Sequence, residues 1–195
     1  AGIDEPYSLS THRFELTDPS SDLIGELRVT RARDEDTFTD LARRFNVGYE
    51  ELVRANPGVD PWLPGEGREI VLPTQHLLPN APRDGIVINL AAMRLYYFPR
   101  AERGEPQVVY TFPIGIGRVG WATPVGSTTV TRMTRNPTWR PGPGVRAEHA
   151  KDGETLPAVV PPGPDNPLGT RALYLGWPSY LIHGTNKPAG VGLRS

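Results

Sequence analysis

Proline and glycine interrupt this sequence so often that long helices are excluded over most of its length. The 195 residues include 22 prolines and 21 glycines, and the apolar segments from residue 85 onward are short. Short runs of β-branched and aromatic residues, bounded by Gly, Pro or Asn, are typical of β-strands. Hydrophobic residues make up 37% of the chain, which is enough to bury a core. The sequence therefore predicts a mainly β protein rather than a disordered one.

Six segments fit this strand pattern. They lie at residues 86–90, 95–98, 108–112, 128–132, 172–175 and 180–183. Several strands of this length favour a sandwich or a barrel. Between the fourth and fifth strands, residues 136–169 form a long loop rich in Pro and Gly. Loops of that length in compact domains are usually functional or disordered.

A small α+β module is predicted before these strands. Thr37 is placed to cap a helix, and Asp40 lies three residues later in the capping-box position. The apolar residues have the spacing of one helical face, at Phe38, Leu41, Ala42 and Phe45. A second short helix is predicted over residues 49–55 and a strand over residues 68–73. With a short strand over residues 23–29, the order is strand, helix, helix, strand.

Composition excludes several classes of protein. The chain has no cysteine, which excludes disulfides, Cys-ligated zinc, iron–sulfur clusters and a thiol nucleophile on these residues. No stretch approaches the roughly 18 apolar residues of a membrane span. No His, Asp or Glu spacing indicates a metal site, and no cofactor is predicted. Residues 1–75 carry 15 acidic and 8 basic residues and the remainder 7 and 13, which indicates two modules with different surfaces.

A glycine motif at residues 115–120 matches G-x-G-x-x-G after a predicted strand. A dinucleotide site would require a helix next and an acidic residue about 20 positions later. The segment that follows contains Pro124 and does not resemble a helix start, and Arg140 rather than an acid occupies the later region. We therefore interpret the motif as a turn between strands, or as a loop that admits a ligand close to the backbone.

A series of short matches runs through residues 27–73. They are Asp36-Thr37, Leu41-Ala42, Phe45, Val47, Leu52, Ala55-Asn56-Pro57-Gly58 and Ile70-Val71-Leu72-Pro73. In this order they resemble a LysM domain, a βααβ module that binds glycans containing N-acetylglucosamine. Glu35 departs from the family, which commonly has Gly before Asp-Thr. The resemblance implies glycan binding, and a spacer without glycan affinity is the alternative. Residues 1–26 are then an N-terminal extension, and residues 74–84 are a linker stiffened by prolines.

Longer matches continue through the rest of the chain. They include Gly85-Ile86-Val87-Ile88-Asn89-Leu90, Met93-Arg94-Leu95-Tyr96-Tyr97-Phe98, Ile114-Gly115-Ile116-Gly117, Thr123-Pro124-Val125-Gly126, Asn136-Pro137-Thr138-Trp139, Pro162-Gly163-Pro164-Asp165-Asn166-Pro167-Leu168-Gly169 and Tyr180-Leu181-Ile182-His183-Gly184-Thr185-Asn186. They resemble the L,D-transpeptidase catalytic (YkuD) domain, in the Gram-negative periplasmic subfamily that also carries an N-terminal LysM. The resemblance implies a YkuD-type β-sandwich over residues 85–195. Because the family's Ser-His-Gly-Cys-Ile-Arg motif comes next, we expect a C-terminally truncated, incomplete sandwich with the nucleophilic Cys beyond Ser195.

The resemblance implies an acyl transfer on the tetrapeptide stems of peptidoglycan. A Cys thiolate attacks the carbonyl of the L-centre of the diaminopimelate–D-Ala bond, D-Ala leaves, and a thioester forms. A second diaminopimelate or a lysine of an envelope lipoprotein then supplies the accepting amine. His183 corresponds to the family's general base and acid. The carbonyl of Gly184 is expected to hold the His183 ring in one tautomer.

Arginines are the candidate substrate-binding residues. No Asp or Glu occurs between Glu105 and Glu148, and arginine binds carboxylates such as those of the peptide stem bidentately. We predict that arginines of this stretch line the donor groove, namely Arg118, Arg132, Arg135 and Arg140. Solvated surface charge is the alternative. By resemblance, Trp139 belongs to a lid or groove wall, and packing on the sandwich is its alternative.

Two functions follow from these patterns. The first is a periplasmic L,D-transpeptidase, its signal peptide already removed, that forms cross-links or attaches a lipoprotein to the cell wall. The second is a non-catalytic peptidoglycan-binding protein, since the chain as given has no thiol and is predicted to be inactive by itself. Both have glycan strands and peptide stems as partners. Neither nucleic acid nor a membrane span is predicted.

Overall fold

The computed structural model describes residues 11–117 and 122–193. Its elements are β1 (Arg13–Glu15), β2 (Leu23–Gly25), β3 (Arg28–Arg31), α1 (Phe38–Phe45), α2 (Tyr49–Ala55), β4 (Glu69–Leu72), β5 (Gln75–Leu77), β6 (Gly85–Asn89), β7 (Arg94–Phe98), β8 (Val108–Pro113), β9 (Val130–Arg135), α3 (Pro143–Lys151), β10 (Arg171–Leu175), β11 (Leu181–His183) and a 3₁₀ turn (Pro188–Gly190). The chain divides into two compact units. The first unit comprises Ala1–Thr123 with Ala189–Ser195, and the second comprises Pro124–Pro188.

A four-stranded antiparallel sheet in the order β1-β8-β7-β6 lies in the first unit. Tyr96 and Phe98 of β7 and Val109 of β8 are almost inaccessible to solvent and pack with Leu78. The Tyr96 hydroxyl donates to the carbonyl oxygen of Leu77 at 3.1 Å. The buried tyrosine therefore keeps a hydrogen bond while its ring contributes to the apolar core.

An antiparallel ribbon precedes and follows the two helices of the first unit. β2 pairs with β5 and β3 pairs with β4, and one register runs through both ladders, from Leu23 opposite Leu77 to Arg31 opposite Glu69. The Thr74 hydroxyl donates to the Glu26 carbonyl at 2.6 Å where the ladder is interrupted. The segment 23–29, predicted as one strand, is therefore two strands in a single ribbon. β5 also lies within the segment predicted as a linker.

The two helices form the second core of the first unit. Thr37 caps α1 through a reciprocal bond pair: its hydroxyl accepts from the Asp40 amide, and the Asp40 carboxylate accepts from the Thr37 amide at 2.9 Å. The predicted capping box is thus confirmed. The apolar face of α1 is at most 7% exposed and packs against α2 and β4, through Phe38, Leu41, Ala42, Phe45, Leu52 and Ile70. Burial of each large side chain contributes about 1.5–3 kcal/mol.

Arg94, the first residue of β7, is 1% exposed. Its guanidinium donates to the Thr111 hydroxyl at 3.1 Å and to the Asn46 carbonyl at 2.8 Å, and its Nε lies 3.7 Å from Glu51 Oε1. Asn46 is the C-cap of α1, where a cation is favoured by the helix dipole. Burial raises the pKa of Glu51, and the nearby Arg94 opposes that rise. One buried cation thus joins the four-stranded sheet to both helices.

His76 lies in the segment predicted as a linker, yet it is buried rather than exposed to solvent. Its side chain is in β5 and is 6% exposed, and its Nε2 has no hydrogen-bond partner among the described residues. Burial disfavours the charged imidazolium, and repulsion from Arg94 adds to this, so the pKa of His76 falls to about 3. The period-2 alternation of a strand explains the burial, because His76 lies on the same face of the ribbon as buried Ile24.

The second unit contains a three-stranded antiparallel sheet in the order β11-β10-β9. Helix α3 lies within the segment 136–169 that was predicted to be loop. It begins with Pro143 at its first turn, where the missing amide hydrogen costs nothing. Asn166 is fully buried and organises the end of this segment: its amide donates to the Pro137 carbonyl at 2.8 Å, and its Oδ1 accepts from the Leu168 amide at 2.9 Å.

The expectation of a mainly β chain with few helices is confirmed, and it is consistent with a YkuD-type β-sandwich. Each of the six predicted strands is present, with the fourth displaced from 128–132 to Val130–Arg135. Both predicted helices of the α+β module are also present. The predicted domain bounds at residues 26, 73 and 84 stay a prediction.

Candidate functional site

His183 is the last residue of the edge strand β11 in the second unit. β11 is held by antiparallel pairing with β10, in which His183 lies opposite Ala172, and Ala172 in turn lies opposite Thr134 of β9. The Gly184 amide extends this pairing by donating to the Arg171 carbonyl at 3.0 Å. The His183 side chain itself is exposed. A rigid sheet therefore presents an accessible imidazole at its end.

The tautomer of His183 is set by its own neighbour. Nδ1 of His183 lies 2.5 Å from the Gly184 carbonyl oxygen. A carbonyl can only accept, so Nδ1 carries the hydrogen and Nε2 of the neutral ring keeps the lone pair. This is the contact that the sequence resemblance implied for Gly184. It leaves Nε2 able to accept a proton.

Gly169 packs directly against the backbone of Gly184 and Thr185, the two residues that follow His183. It has a φ of +65°, and a Cβ placed there would lie 2.6 Å from the Thr185 nitrogen and 2.9 Å from the Gly184 carbonyl carbon. Neither the conformation nor the space admits another residue. The turn from Asn166 to Gly169 is closed by a hydrogen bond from the Gly169 amide to the Asn166 carbonyl at 3.1 Å. The buried Asn166 thereby supports the position of the Gly184 carbonyl.

A cavity of about 450 Å³ opens at this end of the sheet. His183 and Gly184 belong to its lining, with seven residues of the three strands: Met133, Thr134, Arg135, Arg171, Ala172, Leu173 and Ile182. No Asp or Glu is among the nine. The lining therefore carries positive charge from Arg135 and Arg171, beside apolar residues and the polar Thr134 and His183.

The four predicted substrate-binding arginines do not all lie in the cavity. Arg135 lines the cavity with His183. Arg132 lies on the same sheet face as His183, one row further along the strands, with its guanidinium stacked 4.1 Å above the Tyr174 ring. Arg140 is exposed beyond the end of β9 and is not part of the lining. Arg118 lies outside the described residues.

Trp139 is half-buried and pairs by backbone hydrogen bonds with Val160, at 2.9 and 2.8 Å. This bridge closes the segment that contains α3, and Trp139 is not among the residues that line the cavity. The role of a lid or groove wall therefore stays a prediction for it.

Arg171 is the charged residue of the cavity that the sequence did not indicate as a site residue. It precedes the predicted strand 172–175 by one position and lies outside the acid-free stretch that directed attention to the other arginines. Its position opposite Arg135 in the β9–β10 ladder becomes visible only once the register is known. The sequence feature that could have indicated Arg171 is its position next to the predicted strand 172–175, which pairs with the strand of His183.

The mainly β chain carries an exposed histidine with a fixed tautomer at a cavity that two arginines also line. Comparison with known protein families identifies the class to which it belongs. The family model described as "L,D-transpeptidase catalytic domain" (YkuD) matches residues 83–194. The chain therefore belongs to the YkuD family, as its sequence motifs indicated.

Curated relatives support the same assignment. Three Escherichia coli K12 proteins, described as probable L,D-transpeptidases ErfK/SrfK, YcfS and YbiS, are each 44% identical to this chain over 93% of its length. The aligned region covers 58%, 57% and 58% of these proteins, respectively. The chain thus spans somewhat more than half the length of the relatives it matches.

Neither a membrane-spanning helix nor a metal site is found in the described part of the chain. Among the helices of residues 11–117 and 122–193, none is both long and apolar enough to cross a bilayer. Within the same residues, no three His, Asp or Glu side chains are grouped so that they could hold a metal ion.

Proposed function

We propose that this chain carries the acid–base and substrate-binding part of an L,D-transpeptidase acting on the tetrapeptide stems of peptidoglycan. The observation that carries the proposal is the geometry of His183, whose Nδ1 donates to the Gly184 carbonyl so that Nε2 is free to exchange a proton. Membership of the YkuD family supports the same reaction. The 44% identity to proteins described as probable L,D-transpeptidases supports it further.

The proposed reaction has two acyl-transfer steps, with a Cys thiol as the nucleophile. His183 Nε2 takes the thiol proton, and the thiolate attacks the carbonyl carbon of the L-centre of diaminopimelate. The C–N bond to D-Ala breaks, the imidazolium returns its proton to the departing amine, and a thioester forms. An acceptor amine then attacks the thioester carbonyl, loses its proton to His183, and releases the thiol. An amide replaces an amide, so no oxidant or energy source is consumed.

The sequence of this chain contains no cysteine, so the proposal assigns the nucleophile to other residues of the protein. Two acceptors fit the chemistry equally: a second diaminopimelate, which yields a cross-link, or a lysine of an envelope lipoprotein. Substrates of this kind place the protein in the periplasm. The alternative function, a peptidoglycan-binding protein without catalytic activity, is favoured by the same absence of a thiol.

Turnover of a tetrapeptide substrate tests the catalytic proposal. In the full protein, His183→Gln is expected to lower kcat by about 10²–10⁴-fold, because a general acid–base contributes that range. Lys187→Gln, an exposed change four residues away, is the matched control and is expected to leave kcat unchanged. Equal kcat for His183→Gln and the unchanged protein would contradict the role of His183.

Covalent labelling distinguishes an enzyme from a binding protein. We expect the full protein to gain one acyl adduct after exposure to a carbapenem, measured by intact mass. The 195-residue chain is expected to gain none, since it has no thiol. A full protein that stays unlabelled while it still binds peptidoglycan would establish the alternative function.

We also propose that residues 27–73 form a LysM-like module that binds the glycan strands. The paired strands β3 and β4 enclose α1 and α2 in the order strand, helix, helix, strand, which supports the resemblance. Trp62 and Leu63, in the connection after α2, are 75% and 69% exposed, and an exposed indole can stack on a sugar ring. Trp62→Ala is expected to weaken co-sedimentation with purified peptidoglycan. Unchanged co-sedimentation would favour a spacer role.

A further inference from the structure

Two arginines of the second unit lie directly opposite each other. In the antiparallel ladder between β9 and β10, Arg135 pairs with Arg171. Directly opposed residues project from the same face with Cβ atoms about 4.5–5.5 Å apart, and like charges in this arrangement are destabilising. The fold therefore holds two cations together at a position where a neutral residue would be more stable.

Neither arginine is neutralised by the described part of the chain. Both side chains are exposed, and none of the ion pairs between described residues includes either of them. The one hydrogen bond observed for the Arg171 guanidinium is donated to the carbonyl of Thr170, at 2.9 Å. Guanidinium N–H groups of both residues thus remain available to an anion.

The surroundings of the pair indicate what kind of anion fits. Leu173 lies opposite Met133 on one side and Ile182 on the other, on the same sheet face as the two arginines. This apolar row is two residues along the strands from the arginine pair, or about 7 Å. All five residues contribute to the lining of the cavity at this end of the sheet. An aliphatic chain that ends in a carboxylate matches this order of apolar and cationic surface.

We propose that Arg135 and Arg171 together bind one free carboxylate of the substrate, whose aliphatic stem lies along Met133, Leu173 and Ile182. The proposal rests on the function proposed above and adds a specificity to it. A substrate whose carboxylate is free binds, and one whose carboxylate is a carboxamide is discriminated against. A carboxylate accepts from two guanidinium groups and relieves their repulsion, whereas a neutral amide does neither.

The location of the pair limits what it does in the reaction. Strand alternation places Arg135 and Arg171 on the face opposite that of Ala172 and Thr134, which form the row of His183. The carboxylate they bind is therefore remote from the reacting carbonyl. Binding of a remote group equally in the ground and transition states affects KM more than kcat. Arg135 and Arg171 are thus substrate-binding residues rather than members of the acid–base machinery.

Calorimetric titration with three synthetic peptides tests the proposal. The parent tetrapeptide L-Ala-γ-D-Glu-diaminopimelate-D-Ala has free carboxylates, and two analogues carry a carboxamide at either the D-Glu or the diaminopimelate side-chain carboxyl. We expect one analogue to bind the protein about 10- to 100-fold more weakly than the parent, consistent with loss of a charge-assisted hydrogen-bond pair. That analogue identifies which carboxylate the two arginines bind.

Variants of the pair assign the preference to these residues. Arg171→Gln and Arg135→Gln are each expected to weaken parent binding by about 10-fold or more while leaving the affinity for the discriminated analogue unchanged. Unchanged affinity for that analogue also shows that each variant is folded. Arg171→Lys should retain part of the preference, because it keeps the charge and loses the bidentate geometry. Arg103→Gln, an exposed arginine in a turn, is the control and is expected to bind like the unchanged protein.

Three results would overturn the inference: equal affinity of the protein for all three peptides, unaltered affinities in both glutamine variants, or no binding of the parent peptide. If the proposed function is wrong, a different result is expected: turnover of the substrate is unchanged by His183→Gln. Carboxylate preference is measured without turnover, so the two failures are separable. In the active protein, Arg171→Gln should raise KM with little change in kcat.

Discussion

β7 and β10 are five-residue strands that each begin with arginine and continue with aliphatic and aromatic residues, Arg-Leu-Tyr-Tyr-Phe and Arg-Ala-Leu-Tyr-Leu. Their arginines have opposite environments. Arg94 is 1% exposed and surrounded by Asn46, Glu51 and Thr111, whereas Arg171 is exposed and lies opposite another arginine. A buried cation with an ion-pair partner and two hydrogen-bond acceptors stabilises the fold. An exposed cation held beside a like charge is available to a ligand.

The same contrast extends to the surrounding strands. In β7, four of five residues are buried, whereas in β10 Ala172 alone is buried. The first unit is held by apolar cores around Phe38 and Tyr96. In the second unit, the described contacts that organise the connection between β9 and β10 include hydrogen bonds made by the buried Asn166 side chain and the Trp139–Val160 bridge. Stability is therefore expected to depend on Arg94 and not on Arg171, and the following substitutions test that difference.

The largest effect is expected for Arg94→Met. The methionine keeps most of the apolar stem but leaves the half-buried Glu51 carboxylate without its ion-pair partner and the Asn46 carbonyl without the guanidinium donor. Breaking one side of a buried ion pair costs about 3–5 kcal/mol of unfolding free energy, measured by urea denaturation. The double variant Arg94→Met/Glu51→Gln should recover part of this loss, because it removes the unpaired charge. A loss below about 1 kcal/mol in the single variant would remove the distinction between the two arginines.

Acid should destabilise the first unit through His76. Its pKa is about 3 in the folded protein and 6.5 when unperturbed, so the unfolded chain takes up a proton first as pH falls. The contribution of neutral His76 to the unfolding free energy is fully present above pH 6.5 and is lost progressively between pH 6.5 and pH 3. At pH 4.5 the loss is about 2–3 kcal/mol. Urea denaturation of the unchanged protein and of His76→Leu should show this difference. Parallel pH profiles for the two proteins would contradict it.

A smaller loss is expected for Asn166→Ala in the second unit. The substitution leaves the Pro137 carbonyl and the Leu168 amide without their partner in a fully buried position, which costs about 2 kcal/mol. Asn186→Ala is the matched control, because Asn186 makes one exposed hydrogen bond, to the Pro164 carbonyl at 3.0 Å. Similar losses in the two variants would show that Asn166 does not organise this segment.

The smallest effect on stability is expected for Arg171→Gln. The arginine has no carboxylate partner among the described residues and faces Arg135, so its removal relieves a like-charge contact. The change in unfolding free energy should lie within about 0.5 kcal/mol, in the stabilising direction. Thermal denaturation at low salt is the sensitive measurement, because salt screens such repulsion. A loss above about 1 kcal/mol would assign Arg171 a structural role like that of Arg94.

Much of the local structure followed from the sequence because it depends on neighbouring residues. The Thr37–Asp40 capping box, the spacing of Phe38 and Leu41, and the short strands bounded by Gly and Pro are all local patterns, and each is present. Helix α3 was missed because it buries no residue and its apolar spacing is weak, so periodicity gave no signal. His76 was missed because a three-residue strand is too short to show alternation.

The sequence by itself determined the family, the candidate histidine and the expected tautomer partner in the next residue, since all three depend on contiguous motifs. Only the tertiary structure decided whether each arginine is buried or exposed. Arg94 and Arg171 begin similar strands, and strand register and the packing of distant residues then buried one and exposed the other opposite Arg135. Long-range pairing brings together residues 36 positions apart in β9 and β10, and no local pattern specifies which charges will meet.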